Sequence, residues 1–204
     1  MTLQRIEIPD SITRIPISDR ANKLIDEANE RIEAFMLADQ SVIEDFVTCD
    51  FDLLDQSLGW IQEHHLPKGG RFCELGSGFG VAGLLATIRG IESVGIEIES
   101  ALVEQAQRLA DDMGLAAKFY CGSFVPRDAV GALDLAPKFK PIDRHGCDVY
   151  EEMGLSMQKF DLFFAFPWPN QHSFFEAFFK NGAADGSLLL TYRGREGMNL
   201  VRKI

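Results

Sequence analysis

The stretch Glu74-Leu75-Gly76-Ser77-Gly78-Phe79-Gly80 gathers the residue types best suited to holding a ligand. Small residues let the backbone approach a bound molecule closely, and a helix starting just after them offers unbonded amide donors. The apolar run Arg71–Leu75 before this turn reads as a strand, and Val81–Arg89 after it reads as a helix. The next strand, Ser93–Ile98, carries Glu97, 19 residues beyond Gly78. A carboxylate there can accept both hydroxyls of a ribose, so turn and acid together predict a nucleoside site. Two ligands fit the pattern. Gly78-x-Gly80-x-x-Gly83 satisfies the dinucleotide signature GxGxxG, which predicts an NAD(P)-dependent oxidoreductase. The overlapping pattern Glu74-x-Gly76-x-Gly78-x-Gly80 admits another reading.

That second pattern resembles the first motif of the class I S-adenosylmethionine-dependent methyltransferases. Charge separates the two ligands. A dinucleotide places a pyrophosphate on the glycine turn, and a carboxylate at position 74 would repel it. S-adenosylmethionine carries a sulfonium and an ammonium group and no phosphate, so Glu74 would favour it. The resemblance spans Gly70–Tyr192, 123 of 204 positions. It implies that Glu74, Gly76, Ser77, Gly78 and Gly80 line the methionine portion, Glu97 holds the ribose and Ile98 flanks the adenine. Gly122-Ser123 stands where the family often has Gly-Asp, and the serine would reach the adenine amino group. Phe166-Pro167-Trp168-Pro169 follows the fourth core strand, where amino-directed nucleic-acid methyltransferases carry Asp/Asn-Pro-Pro-aromatic. Phe166 replaces the side-chain acceptor of that motif, which argues against adenine or glutamine-amide methylation. Phe166 and Pro167 are expected beside the cofactor, with Trp168 facing the substrate and Asn170 orienting it. Phe166 and Trp168 can attract a cation by about 0.5–2 kcal/mol. His172 and Tyr192 are the candidate catalytic groups, His172 as a general base.

The elements that must position these residues alternate. Strands at 71–75, 93–98, 117–121, 160–166 and 187–192 are separated by helices at 81–89, 100–113 and 173–181. This order predicts an α/β, doubly wound, mostly parallel Rossmann-like sheet with helices on both faces. Residues 198–204 read as a last antiparallel strand, giving six or seven strands in all. With only 12 residues after Tyr192, a sheet edge is expected to lie exposed or to meet a partner in a homodimer. Residues 1–69 read as an N-terminal helical cap and 70–204 as the cofactor-binding core, with 125–159 as an insert or lid. In the cap, Ser18 or Asp19 would start a helix whose inner face is Leu24, Ile25, Ala28, Ile32, Phe35 and Met36. A second helix, 53–65, would turn Leu53, Leu54, Leu58 and Ile61 inward. Residues 46–52 would join cap to core and fold over the cofactor.

Composition bounds the function. A hydrophobic fraction of 46% and a charged fraction of 25% fit a folded domain and exclude general disorder. The apolar runs are far short of the ~20 residues of a membrane span, and the charged N-terminus is unlike a signal peptide. A cytoplasmic protein is expected. The net charge is −11, and residues 1–70 hold 6 Lys/Arg against 14 Asp/Glu. Such a balance disfavours nucleic acid as partner, leaving a small-molecule or protein methyl acceptor. Lys138, Lys140 and Arg144 are the one hint of a basic patch. Cys49, Cys73, Cys121 and Cys147 form no CxxC pair and read as reduced thiols, Cys73 and Cys121 buried, with no metal site. A nucleoside-binding module without turnover is the third alternative.

Overall fold

Ser18 starts the first long helix. Its Oγ accepts from the Ala21 N–H at 3.2 Å, and α1 runs Asp19–Ala38. This computed structural model describes residues 2–38, 49–126, 148–168 and 170–204. The inner face of α1 is Ala21, Leu24, Ile25, Ala28 and Ile32, all buried. Phe35 reaches beyond it to meet Phe79 of the glycine turn edge-on, ring centroids 5.5 Å apart. Met36, expected inward, is 42% exposed because it lies on the last turn, past the core. Asp50 caps α2 (Phe51–Glu63), its Oδ1 accepting from Leu53 N–H at 2.9 Å. Leu54, Leu58 and Ile61 are fully buried, and Leu53 is half-buried.

One buried ion pair fastens α2 to the core. Asp55 is 1% exposed and accepts from Arg89 Nε at 2.8 Å and Nη2 at 2.5 Å. Arg89 is the C-cap of α3 (Val81–Ile88), the helix that leaves the glycine turn. Removing one partner strands a desolvated charge, which costs about 3–5 kcal/mol in a fully buried pair. The Arg89 side chain keeps some solvent contact (18%), so the lower end applies. Asp55→Ala is expected to lower stability by about 2–3 kcal/mol in urea denaturation, with Asp55→Ala/Arg89→Met recovering part of the loss.

The sheet has seven strands: β1 (Leu3–Ile6), β2 (Arg71–Leu75), β3 (Glu92–Glu97), β4 (Lys118–Cys121), β5 (Leu162–Ala165), β6 (Leu188–Tyr192) and β7 (Met198–Lys203). Their order is β1-β7-β6-β5-β2-β3-β4. The five strands from β2 to β6 pair in parallel, while β7 runs antiparallel to both β6 and β1. The expected mostly parallel sheet and its last antiparallel strand are therefore present. The edge beside that strand is paired. The chain's own N-terminus pairs there, Leu3 opposite Lys203 through Ile6 opposite Leu200, so β1 and β4 are the outer strands. Residues 1–17 thus contribute a sheet strand, which the helical reading of the N-terminus did not contain.

Alternate strand residues feed two apolar layers. Phe72, Leu162, Phe164, Leu188, Leu190 and Leu200 pack against α1, α2, α3 and α4 (Ser100–Asp112). Cys73, Leu75, Val94, Ile96, Phe163 and Leu189 pack against α5 (Val149–Met153) and α6 (His172–Gly182). The described parts of the expected lid, 125–126 and 148–159, contribute Val125, Val149, Tyr150 and Met157 to this second layer. Val149 is fully buried, and Tyr150 donates its hydroxyl to Phe124 C=O at 2.8 Å. Residues 127–147, with Lys138, Lys140, Arg144 and Cys147, lie outside the described residues, as do 46–48 and Pro169. Cys73 is buried as expected. Cys121 is exposed instead, at the end of the edge strand β4, on whose outer side no strand pairs among the described residues.

Candidate functional site

The glycine turn lies at the C-terminal end of β2, the middle one of the five parallel strands. Gly76, Gly78 and Gly80 all take left-handed backbone angles, φ 74°, 51° and 72°. Only glycine adopts three such angles in five residues without strain. The amides of Gly76 and Ser77 both donate to Ile96 C=O at 2.9 Å, drawing the turn sideways onto β3. Phe119 of β4 lies across Gly80 and Gly95, and a methyl group on Gly95 would stand 2.5 Å from its ring. A methyl group on Gly76 would meet nothing within 4 Å, so the turn is open on that side.

Glu97 closes the arrangement. It is 8% exposed at the end of β3, with Oε2 accepting from Gly78 N–H at 2.8 Å. Its Oε1 accepts from the amides of Ile98 at 2.7 Å and Glu99 at 3.1 Å. One side chain therefore holds the tip of the turn and the strand end together. A carboxylate offers about four acceptor sites, and these amides occupy three. The remaining one is on Oε2. That leaves no room for the two-oxygen grip on a ribose expected of Glu97. Gly122 joins the same corner by donating its N–H to Glu97 C=O at 2.8 Å. Ser123 Oγ accepts from Val125 N–H at 3.1 Å, and Ile98, next to Glu97 in the chain, is half-buried.

Glu74 is placed differently from the expectation of a charge meeting a cationic ligand. It is 5% exposed, and its Oε2 accepts from Gly83 N–H, in the first turn of α3, at 2.9 Å. The sequence places Glu74 correctly at the strand end, but the helix start claims its carboxylate. Burial, against the opposing pull of the Gly83 and Ala82 amides and with a smaller push from the nearby Glu97, raises the carboxyl to about 8. Ser77, next to the turn, has a buried Oγ with no partner among the described residues. It is a polar atom suited to a ligand hydroxyl, amine or carboxylate.

A second wall stands at the ends of β5 and β6. The Phe166 and Tyr192 rings pack at 5.1 Å, tilted by 59°. Pro167 is buried, and Trp168 is 41% exposed. The turn after β5 is closed by two bonds: Gln171 N–H donates to Trp168 C=O at 2.8 Å, and Trp168 N–H donates to Gln171 Oε1 at 3.1 Å. Asn170 is exposed on that turn. His172 begins α6 with its Nδ1 buried and unbonded among the described residues. Burial lowers its pKa below the ordinary 6.5, and the positive Arg193 adds to this. Arg193 donates from Nη2 to Glu176 at 2.8 Å and buries an unpartnered Nε. This arginine was not singled out in the sequence. Its only available signal is its place after Tyr192, at the end of a core strand.

Cys49 precedes the N-cap of α2. It is half-buried, and its thiol is raised first by burial and then by the charges of Asp50 and Glu74. The Tyr192 hydroxyl is raised by burial and in turn feels Cys49 and Asp50. Cys49 is the first described residue of the connector between cap and core. Its neighbour cavity, about 220 Å³, is bounded by Ile25, Asn29 and residues 49–52. The glycine turn, Glu97, Phe166 and Tyr192 all lie at the C-terminal ends of the parallel strands, where open α/β sheets hold their ligand cleft.

No protein-family model matches the chain, and no curated protein matches it. Solved structures do. A methyltransferase from Geobacter sulfurreducens is similar over 93% of this chain and 92% of its own, with a TM-score of 0.54 and 15% identity. An RNA methyltransferase from Salinibacter ruber, solved with S-adenosyl-L-homocysteine, is similar over 78% of this chain and 92% of its own, with a TM-score of 0.50 and 16% identity. At these identities the likeness establishes the fold, that of the class I methyltransferases.

Proposed function

We propose that this chain is an S-adenosylmethionine-dependent methyltransferase. The observation that carries the reading is the glycine turn held on β3 by Glu97, open above Gly76, within this fold. Gly76, Ser77 and Gly78 would receive the methionine portion, with the free Ser77 Oγ meeting its polar end. The spare site on Glu97 Oε2 would take one ribose hydroxyl, and Ile98 would lie against the adenine. Glu74 supports the site from below, by holding the α3 amides. When bound, S-adenosylmethionine supplies a methyl group on a positive sulfur. The chain's task is then to present a nucleophile ~3–3.5 Å from that carbon, in line with the sulfur.

The acceptor would enter between Trp168 and the Phe166–Tyr192 pair. Phe166 offers no hydrogen-bond acceptor for a planar amino group, and the chain is strongly acidic. Both features favour a small molecule or a protein side chain over nucleic acid. His172 is suited to take a proton from the acceptor, because its lowered pKa leaves it neutral at pH 7. His172→Ala is expected to reduce turnover about 10²–10³-fold while leaving cofactor affinity unchanged. Unchanged turnover would remove it from the mechanism.

Calorimetric titration with S-adenosylmethionine, S-adenosylhomocysteine and NADH tests the cofactor. The two sulfur nucleosides are expected to bind and NADH is not; the reverse outcome assigns the turn to a dinucleotide. Transfer of a labelled methyl group into fractionated metabolites or proteins tests turnover. Binding without transfer in any fraction would favour a nucleoside-binding module.

A further inference from the structure

Far from this cleft, at the opposite end of the parallel strands, lies a cavity of about 540 Å³. It is bounded by the segment that leads into β2, the turn before β6 and the end of β7. Its charged lining is Lys68, Arg202, Lys203 and Asp185, with His65 beside them. The three fixed cations spend their hydrogen bonds on main-chain carbonyls. Lys68 Nζ donates to Asp185 C=O at 3.1 Å, Arg202 Nη2 to Leu66 C=O at 3.1 Å, and Lys203 Nζ to Ala183 C=O. The one carboxylate side chain in the lining, Asp185, is 67% exposed and stands 3.8 Å from Lys203 Nζ.

That is an unusual balance for buried charge. The Lys203 side chain is only 4% exposed, and Arg202 buries an Nε that has no partner among the described residues. Carbonyl dipoles satisfy donors but do not neutralise cations, and desolvated cations gain most from a true anion. Gly186 contributes space: any side chain there would overlap the Lys68 stem. All of this stands in a chain whose net charge is −11.

We propose that this cavity binds a phosphate-type oxyanion, received by Lys68 and the Arg202 guanidinium and held in the field of Lys203. Arginine's planar donors match tetrahedral oxyanions, and lysine adds a point charge. The volume lies within the ~300–1,000 Å³ usual for small-molecule sites, so the oxyanion can belong to a phosphorylated metabolite as well as to free phosphate. The site is separate from the proposed methyl-transfer cleft, and its occupancy does not depend on that assignment.

The test uses the full chain at low ionic strength, titrated with inorganic phosphate and, separately, glucose 6-phosphate, while backbone amide NMR shifts are followed. Saturable shifts at Gly186 and Lys203 are expected, with Gly78 unmoved. Tighter binding of the sugar phosphate would assign the site to a phosphorylated metabolite, and equal binding to the free ion. Lys68→Met, an exposed change that spares the core, and Arg202→Gln should each weaken binding roughly tenfold or more. The proposal is overturned if neither probe saturates, if both variants bind as the parent does, or if the shifts concentrate at the glycine turn. It also fails if only a polynucleotide binds, since that would indicate surface charge in place of a pocket.

Discussion

Glu97→Ala is expected to weaken S-adenosylhomocysteine binding at least 100-fold and to lower stability by about 2–4 kcal/mol. The first figure follows from geometry. Glu97 accepts from Gly78, Ile98 and Glu99 amides at 2.7–3.1 Å. Alanine removes the link between the turn tip and the strand end, together with the oxygen proposed to meet the ribose. A charge-assisted hydrogen bond contributes about 1.5–3 kcal/mol, so losing the ligand contact and the preorganised turn together reaches that range. The second figure is the cost of leaving buried amides unpaired, about 1–3 kcal/mol each when no water replaces the partner. Ile98 is half-buried and Glu99 exposed, so Gly78 dominates the loss. Glu97→Gln keeps one acceptor oxygen and should show intermediate losses in both measurements. Parent-like affinity in Glu97→Ala would mean that the ribose is held elsewhere.

Glu74 predicts a pH dependence of opposite sign to that of most paired carboxylates. Its folded-state pKa is pushed up to about 8 from an ordinary 4.5, chiefly by burial. Between those values the unfolded chain has released the proton and the folded chain still holds it. The folded state binds more protons, so stability falls as pH rises through this window, by up to about 1.4 kcal/mol per unit. Below about 4.5 both states are protonated and this loss is absent. Glu74→Gln keeps an oxygen for the Gly83 amide and cannot ionise. The stability of the variant relative to the parent should therefore grow by about 3–4 kcal/mol between pH 5 and pH 8, read from urea midpoints at each pH. A difference that does not change with pH would show that Glu74 is ionised in the fold throughout that range.

Much of the fold is legible in the order of residues because periodicity is a local property. Phe72, Cys73 and Leu75, or Leu188 to Leu190, are apolar without alternation, as strands covered on both faces must be. The glycines at 76, 78 and 80 announce a turn before a helix, and the acid at 97 announces a strand end. Strand β1 was illegible because Leu3-Gln4-Arg5-Ile6 is four residues long and half polar. It is a strand because β7 offers it an edge 200 residues away in the chain. Met36 lay on the right helical face but beyond the reach of the core. Arg193 carried no motif at all.

The sequence by itself determined the alternation of strands and helices, the glycine turn and the two acids that flank its ends. Tertiary structure alone decided what those acids do. Glu74 and Glu97 are the same residue type at two adjacent strand ends. One meets the first turn of a helix and the other the tip of a turn and an exposed cleft. Partner, burial and therefore protonation depend on which backbone amides folding carries within 3 Å of a carboxylate. No spacing along the chain encodes that distance.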